Sequence, residues 1–211
     1  MGKSMIQKIM SVGMLESNCY ILGDEVSREA VVIDPGGDGP DILAAIQKEN
    51  LKIKTIINTH GHFDHVGANQ ALQEATGAPI AIHQSDAAML SQPSAEALFF
   101  TGGRLQPSRA EILLQEDDVL EFGPFQLKVL HTPGHTVGGI CLVLQSEPIV
   151  YVGDTLFAGS IGRTDFPGGS FEDLIESVKR KIFTLGDNYL VMPGHGPTTT
   201  VGQERQYNPF F

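Results

Sequence analysis

Thr59-His60-Gly61-His62-Phe63-Asp64-His65 places four strong metal-binding side chains within six consecutive residues. His60 and His62 are two apart. On a helix that spacing turns them to nearly opposite sides; on an extended end it points them the same way. The stretch therefore reads as a loop leaving a strand. Lys54-Thr55-Ile56-Ile57-Asn58, apolar and β-branched, is that strand. Neutral imidazole suits zinc, iron or nickel, and carboxylate completes a borderline-hard site.

Upstream, residues 5–12, 17–23 and 29–33 alternate or run apolar between turn residues, the pattern of a β-meander. Pro40 opens a helix whose apolar face is Ile42, Leu43 and Ile46. Downstream, a helix over 67–76 starts directly after His65 and stops at Gly77. A short strand over 79–82 and a helix from Gln84 to Leu90 follow. Ser, Pro and Gly then dominate up to residue 110, with Phe99-Phe100 among them. Strands at 111–115, 118–122, 125–131, 138–144 and 148–152 read as a second antiparallel run. Ser170-Phe171-Glu172-Asp173 resembles a capping box, and Leu174, Ile175, Val178 and Ile182 give its helix an inward face. A last strand spans 189–192. Strands and helices, then strands and a helix again, fit two packed sheets with helices outside, an α/β class fold, better than one doubly wound sheet.

Three further candidate ligands follow strands and adjoin glycine: His135 in Pro133-Gly134-His135, Asp154 in Gly153-Asp154-Thr155, and His195 in Pro193-Gly194-His195-Gly196. Strand ends held by a sheet supply the rigidity a metal site needs. With His60, His62, Asp64 and His65 they make seven donors, and five of the chain's seven histidines are among them. Seven exceeds what one four-coordinate ion takes, so two divalent ions are expected. A pair sharing a bridging carboxylate and water is a hydrolytic device: it makes hydroxide at neutral pH and polarises a carbonyl. No Gly-x-Ser-x-Gly nucleophile elbow is present.

The bulk of the chain narrows the partners. Its 211 residues suit one domain spanning 1–211, and the net charge is −11. With no extended run of Lys or Arg, a nucleic-acid surface or an anionic membrane surface is not expected, which leaves a small-molecule substrate. Cys19 and Cys141 lie in apolar runs and read as buried free thiols. Residues 1–14 lack a signal-peptide core, and no span reaches 18 apolar residues, so a cytoplasmic protein is the expectation.

The run His-x-His-x-Asp-His, followed in order by His135, Asp154 and His195, resembles the metallo-β-lactamase superfamily over nearly the whole chain. The resemblance implies an αββα sandwich of two mixed β-sheets flanked by helices. It puts His60, His62 and His135 on one metal, Asp64, His65 and His195 on the other, and Asp154 between them. Asp64 and Asp154 would serve catalysis as well as binding. Zinc is the first expectation, with iron or manganese also accepted by such a donor set.

Within the superfamily, Gly153-Asp154-Thr155-Leu156-Phe157 through Gly162-Arg163-Thr164-Asp165-Phe166 is similar to the glyoxalase II branch, in its short bacterial form. This implies a hydrolase of S-2-hydroxyacyl-glutathione thioesters, typically S-D-lactoylglutathione, acting through a metal-bridging hydroxide. Arg163 stands where that family places a basic residue facing the glutathione glycine carboxylate. Three features depart from it. Asp165 replaces an aromatic residue, His195-Gly196-Pro197 replaces His-Glu-Tyr, and the chain stops at Phe211 without the C-terminal helical domain of the long form. Gly162 to Phe166 also looks like the persulfide dioxygenases, which hold a single iron. Hydrolysis of another thioester or a lactone is a further alternative, and a non-enzymatic metal-binding module is the bland one. Among the other polar residues, Asp34 reads either as a turn former or as a carboxylate orienting a ligand histidine. His83 reads as a surface or helix-start residue, and His131 as structural or as a support to the ligands.

Overall fold

The computed structural model describes residues 4–103 and 105–211. Residues 1–3 of the N-terminal stretch and residue 104 of the long connection lie outside the described residues. β1 (Met5–Val12), β2 (Ser17–Asp24) and β3 (Glu29–Ile33) form the expected antiparallel meander. After it, α1 (Gly39–Lys48) crosses over to β4 (Lys52–Ile57), which runs parallel to β3. A single turn of helix, α2 (Phe63–Val66), and then α3 (Asn69–Thr76) lead to β5 (Ile80–His83), parallel to β4. α4 (Ala87–Ser91) and α5 (Ala95–Phe100) occupy the long connection, and β6 (Ile112–Leu114) closes the first sheet parallel to β5.

The second sheet holds β7 (Val119–Phe122), β8 (Phe125–His131), β9 (Ile140–Leu144) and β10 (Ile149–Gly153). A small hairpin follows, β11 (Leu156–Phe157) with β12 (Ser160–Ile161). Then come α6 (Phe171–Ser177), continued by a π-helical turn over Val178–Ile182, β13 (Leu190–Pro193), β14 (Thr199–Thr200) and α7 (Val201–Tyr207). The strand orders are β1-β2-β3-β4-β5-β6 and β14-β13-β10-β9-β8-β7. Each sheet is mixed, the second through its parallel β10–β13 pair.

Alternation along the strands builds the layers. In β2, Cys19 and Ile21 join the core under α1 and α3, while Tyr20 and Leu22 join the core between the sheets. In β9, Leu142 and Leu144 face that same central core, while Cys141 and Val143 meet Leu174, Val178 and Ile182 of α6 and its π-helical turn. Helix, sheet, sheet and helix are thus stacked in that order, an αββα sandwich. Both cysteines are free and fully buried, as expected. Among the described residues no helix is long and apolar enough to cross a membrane.

Three local readings are corrected. The strand expected at 111–115 belongs to the first sheet, not to a second antiparallel run. The chain changes sheets in the following turn, where Asp118 accepts from the Gln115 backbone N–H at 2.8 Å. The helix expected over 67–76 begins two residues late, at Asn69, and a separate helical turn over Phe63–Val66 precedes it. Gly67 is wedged against Gly36, a Cβ there lying 2.3 Å from the Gly36 carbonyl oxygen, and Ala68 N–H bonds the Pro35 carbonyl at 2.8 Å. Asp64 and His65 therefore sit on a helical turn and not on an extended loop. The helix expected from Gln84 to Leu90 spans Ala87–Ser91, because residues 83–86 form a turn closed by the Asp86 N–H on the His83 carbonyl at 3.0 Å.

Candidate metal centre

All seven expected donors converge at one end of the sandwich. β4 delivers His60 and His62, and α2 adds Asp64 and His65. His135 follows β8, Asp154 follows β10, and His195 follows β13. Each strand ends at the same edge of its sheet, so residues up to 135 apart in sequence meet.

Two triads stand out among the donors, and a third group, Asp34, His60 and His65, links one to the other. His60, His62 and His135 bring ring nitrogens within 4.8 Å of one another, as do the ligand atoms of Asp64, His65 and His195. His62 Nδ1 lies 2.8 Å from His135 Nε2. In the other group, His195 Nε2 is 3.1 Å from Asp64 Oδ2 and 3.3 Å from His65 Nε2. Asp154 lies between the groups. Its Oδ1 is 3.4 Å from His65 Nε2, and its Oδ2 is 3.6 Å from His135 Nε2 and 3.7 Å from His195 Nε2.

The remaining ring nitrogens are tied down. His135 Nδ1–H donates to the Arg163 carbonyl at 2.7 Å, leaving Nε2 as a lone pair toward the cluster. His65 Nδ1 is 3.1 Å from Asp34 Oδ2. Asp34 also accepts from Thr59 N–H at 2.7 Å and Thr59 Oγ1–H at 2.6 Å. The Asp34 carboxylate therefore braces His65 and the start of the ligand loop. It does form the turn as well, with φ at +51°, a conformation Asp tolerates. On the other sheet, the strand end before His195 is held from β2. Asn18 Nδ2 donates to the Pro193 carbonyl at 3.0 Å and the Gly196 carbonyl at 2.9 Å, and Tyr20 O–H to the Pro193 carbonyl at 2.6 Å.

Electrostatics differ between the triads. Burial, reinforced by neighbouring histidines, holds His60 far below its ordinary value and brings His62 down to about 3. For His65 burial opposes the charge, but Asp154, Asp64 and Asp34 outweigh it and raise the ring to about 10. His195 is also raised, its bond to Asp64 overcoming burial. The Asp64 carboxyl is held well below the usual carboxylate range, because His65 and His195 outweigh its burial.

This donor set fits bound divalent ions. Among the described residues, the buried side-chain atoms without a hydrogen-bond partner are His60 Nε2 and Asp154 Oδ1, both in the cluster. A buried polar atom without a partner is costly, and a cation supplies the missing interaction. Gly194 shows how closely the backbone is fitted. A Cβ there would lie 2.2 Å from Asp154 Oδ1 and 2.8 Å from His65 Cε1.

Sequence reading missed Asp86. It is 1% exposed and accepts from Gly61 N–H at 3.1 Å, Thr136 Oγ1–H at 2.7 Å and Gly138 N–H at 2.7 Å. One carboxylate thus joins the ligand loop of the first sheet to the His135 loop of the second. No separate sequence signal marks it, since the helix expected from Gln84 to Leu90 takes Asp86 in as one of its residues. His83 is corrected from a surface residue to a buried one. Its ring stacks on His131 at 4.0 Å, and His131 Nε2 bonds the Val137 carbonyl, so that pair is structural.

Arg163 lies at the rim. Its guanidinium is paired with Asp165, at 2.9 Å from Nε to Oδ1 and 2.8 Å from Nη2 to Oδ2, and sits 4.2 Å over the Phe166 ring. Phe166 in turn packs on His62 at 5.3 Å.

A fold of this kind, with these donors at the strand ends, defines a class. The model of the metallo-β-lactamase superfamily matches residues 12–195, and the chain belongs to that superfamily. Hydroxyacylglutathione hydrolase GloC of Haemophilus influenzae is 35% identical over 205 residues, 96% of each chain. Among solved structures, the BLEG-1 B3 metallo-β-lactamase aligns with a TM-score of 0.91 at 37% identity, covering 97% of this chain and 99% of that one. TTHA1623, determined in a di-iron-bound form, aligns at 0.86 with 35% identity, covering 97% and 100%. The chain is a metallohydrolase-family enzyme.

Proposed function

We propose that the protein hydrolyses thioesters, of which S-D-lactoylglutathione is the leading candidate, at a binuclear centre. The observation that carries this reading is the pair of triads facing each other across Asp154. The near full-length likeness to a hydroxyacylglutathione hydrolase supports the substrate class. His60, His62 and His135 would hold one ion, Asp64, His65 and His195 the other, and Asp154 both. Two divalent ions there supply a Lewis-acid pair that generates hydroxide near neutral pH and polarises the thioester carbonyl.

The chain's own residues set the geometry. Asp34 fixes the His65 ring with Nε2 toward the cluster, and the Arg163 carbonyl does the same for His135. Asp64 Oδ2 is held by Ser17 Oγ–H at 3.2 Å and by His195. The carboxylates of Asp64 and Asp154, 3.1 Å and 3.7 Å from His195 Nε2, would accept from the attacking water and orient its proton. A thiolate leaves without a strong general acid, since its conjugate thiol is acidic. This agrees with a site whose titratable groups are committed to binding.

The test is loss of thioester absorbance from S-D-lactoylglutathione on protein of measured metal content. Turnover with near two metals per chain is the expected result. No turnover with two metals would move the search to other thioesters and lactones. One iron per chain, with oxygen uptake on a glutathione persulfide, would replace this reading with the dioxygenase one.

A further inference from the structure

The ion pair at the rim points to a specificity device in the chain itself. Arg163 and Asp165 form a fork-to-fork pair, two nitrogens on two oxygens. A guanidinium recognises a carboxylate through parallel N–H···O bonds, and here Asp165 already holds the Nε–Nη2 edge, so an incoming substrate carboxylate must displace it there or share the guanidinium with it. We propose that Asp165 is an internal competitor for the Arg163 guanidinium, and that it weakens the hold on carboxylate-bearing thioesters, S-D-lactoylglutathione included, below what Arg163 alone would give.

The geometry limits where the guanidinium can go. Its plane lies 4.2 Å over Phe166, whose ring packs against His62 and also lies 6.4 Å from His135. The Arg163 backbone is anchored by the His135 Nδ1–H bond. Arg163 is thus held beside the metal centre, and Asp165, two residues on, turns back to cover its fork. Both side chains are about two-thirds exposed, at 66% and 67%. Exposure matters because such a pair is weak. Asp165 is displaceable and acts as a graded filter, not a plug. A protein of charge −11 already repels anions, so neutralising a cation at the mouth of the site has a selective effect.

The inference rests on the thioester reading only for the choice of ligand, and its test does not need turnover. Calorimetry on metal-loaded protein would compare S-hexylglutathione with the same molecule carrying its glycine carboxylate as an amide. Asp165→Asn should tighten the carboxylate ligand by about three- to tenfold, leave the amide ligand within about twofold, and lose that difference at 0.5 M salt. In the Arg163→Ala background, Asp165→Asn should no longer separate the two ligands. Equal Kd values for wild type and Asp165→Asn, equal tightening of both ligands, or binding of neither protein to the carboxylate ligand would overturn the proposal. Failure of lactoylglutathione turnover alongside the Kd split would leave it standing and reject only the thioester reading.

Discussion

The two sheets contribute to the centre in opposite ways. The first supplies four donors from one loop of six residues, His60 to His65, with His60 and His65 at most 1% exposed. The second supplies His135, Asp154 and His195 from three separate strand ends, and the His195 side chain keeps 28% of its exposure. The first set is braced by a carboxylate, Asp34, and the second by backbone carbonyls and by the amide of Asn18. A contiguous loop can be shaped by its own backbone. A dispersed set must be positioned by the register of the whole sheet, which is why glycine precedes each of its members.

The largest effect should come from the donor that joins both sets. Asp154→Asn keeps the shape but removes the charge placed between His65 and His135. A drop in kcat/KM of roughly a thousandfold is expected, the scale of several kcal/mol of lost charge stabilisation. Metal analysis of the variant should show less than the wild-type content. Activity within about tenfold of wild type would mean that the triads act independently and that the bridging role is wrong.

Asp86 ties one set to the other, so its loss should be felt in stability. Asp86→Ala leaves three donors unpaired in a buried place, Gly61 N–H, Thr136 Oγ1–H and Gly138 N–H. About 3 kcal/mol of destabilisation follows, or roughly 6–12 °C in Tm for a chain of this size, measurable by calorimetry. If only activity fell and Tm held, Asp86 would belong to the chemistry and not to the joint between sheets.

The same contrast decides what the sequence reveals. His60 to His65 is legible because two-residue and one-residue spacings constrain directions locally. The downstream donors are legible through Pro-Gly-His and Gly-Asp at strand ends. The αββα layering follows from the alternation in β2 and β9, where both faces of a strand are apolar. Pairing partners are not local. Nothing in residues 111–115 tells β6 to lie beside β5 and not β7, and that choice depends on α4 and α5 having crossed the sheet. The hairpin β11–β12, with two residues in each strand, is too short to show a period. Asp86 and Asn18 act across the structure, so their roles leave no mark in their own neighbourhoods.

The brace on the first set should matter by an intermediate amount. Asp34→Ala frees the His65 ring and the Thr59 donors together. Loss of a ligand's hydrogen-bonded partner lowers metal affinity by about 10- to 100-fold, and competition with a chelator of known affinity reads it directly. Asn18→Ala, the counterpart on the second set, should cost less. One of Asn18's two side-chain bonds ends on the Pro193 carbonyl, whose strand is already held by β10 and by the Tyr20 hydroxyl, and the other on the Gly196 carbonyl just past His195. Equal losses in the two variants would erase the proposed difference between the sets.

The smallest effect is expected at the exposed rim. Arg163→Ala removes the guanidinium from an anionic substrate, but in the wild type that group is already shared with Asp165. KM for S-D-lactoylglutathione should therefore rise by only about two- to fivefold, the scale of an exposed ion pair, with kcat little changed, the pattern of lost uniform binding. The His135–Arg163 bond uses the backbone carbonyl, so it survives the substitution and the metal content should hold. A fall in kcat with loss of metal would show that the Arg163 side chain supports the His135 loop, and that the dispersed ligand set reaches further out along the chain than its three strand ends.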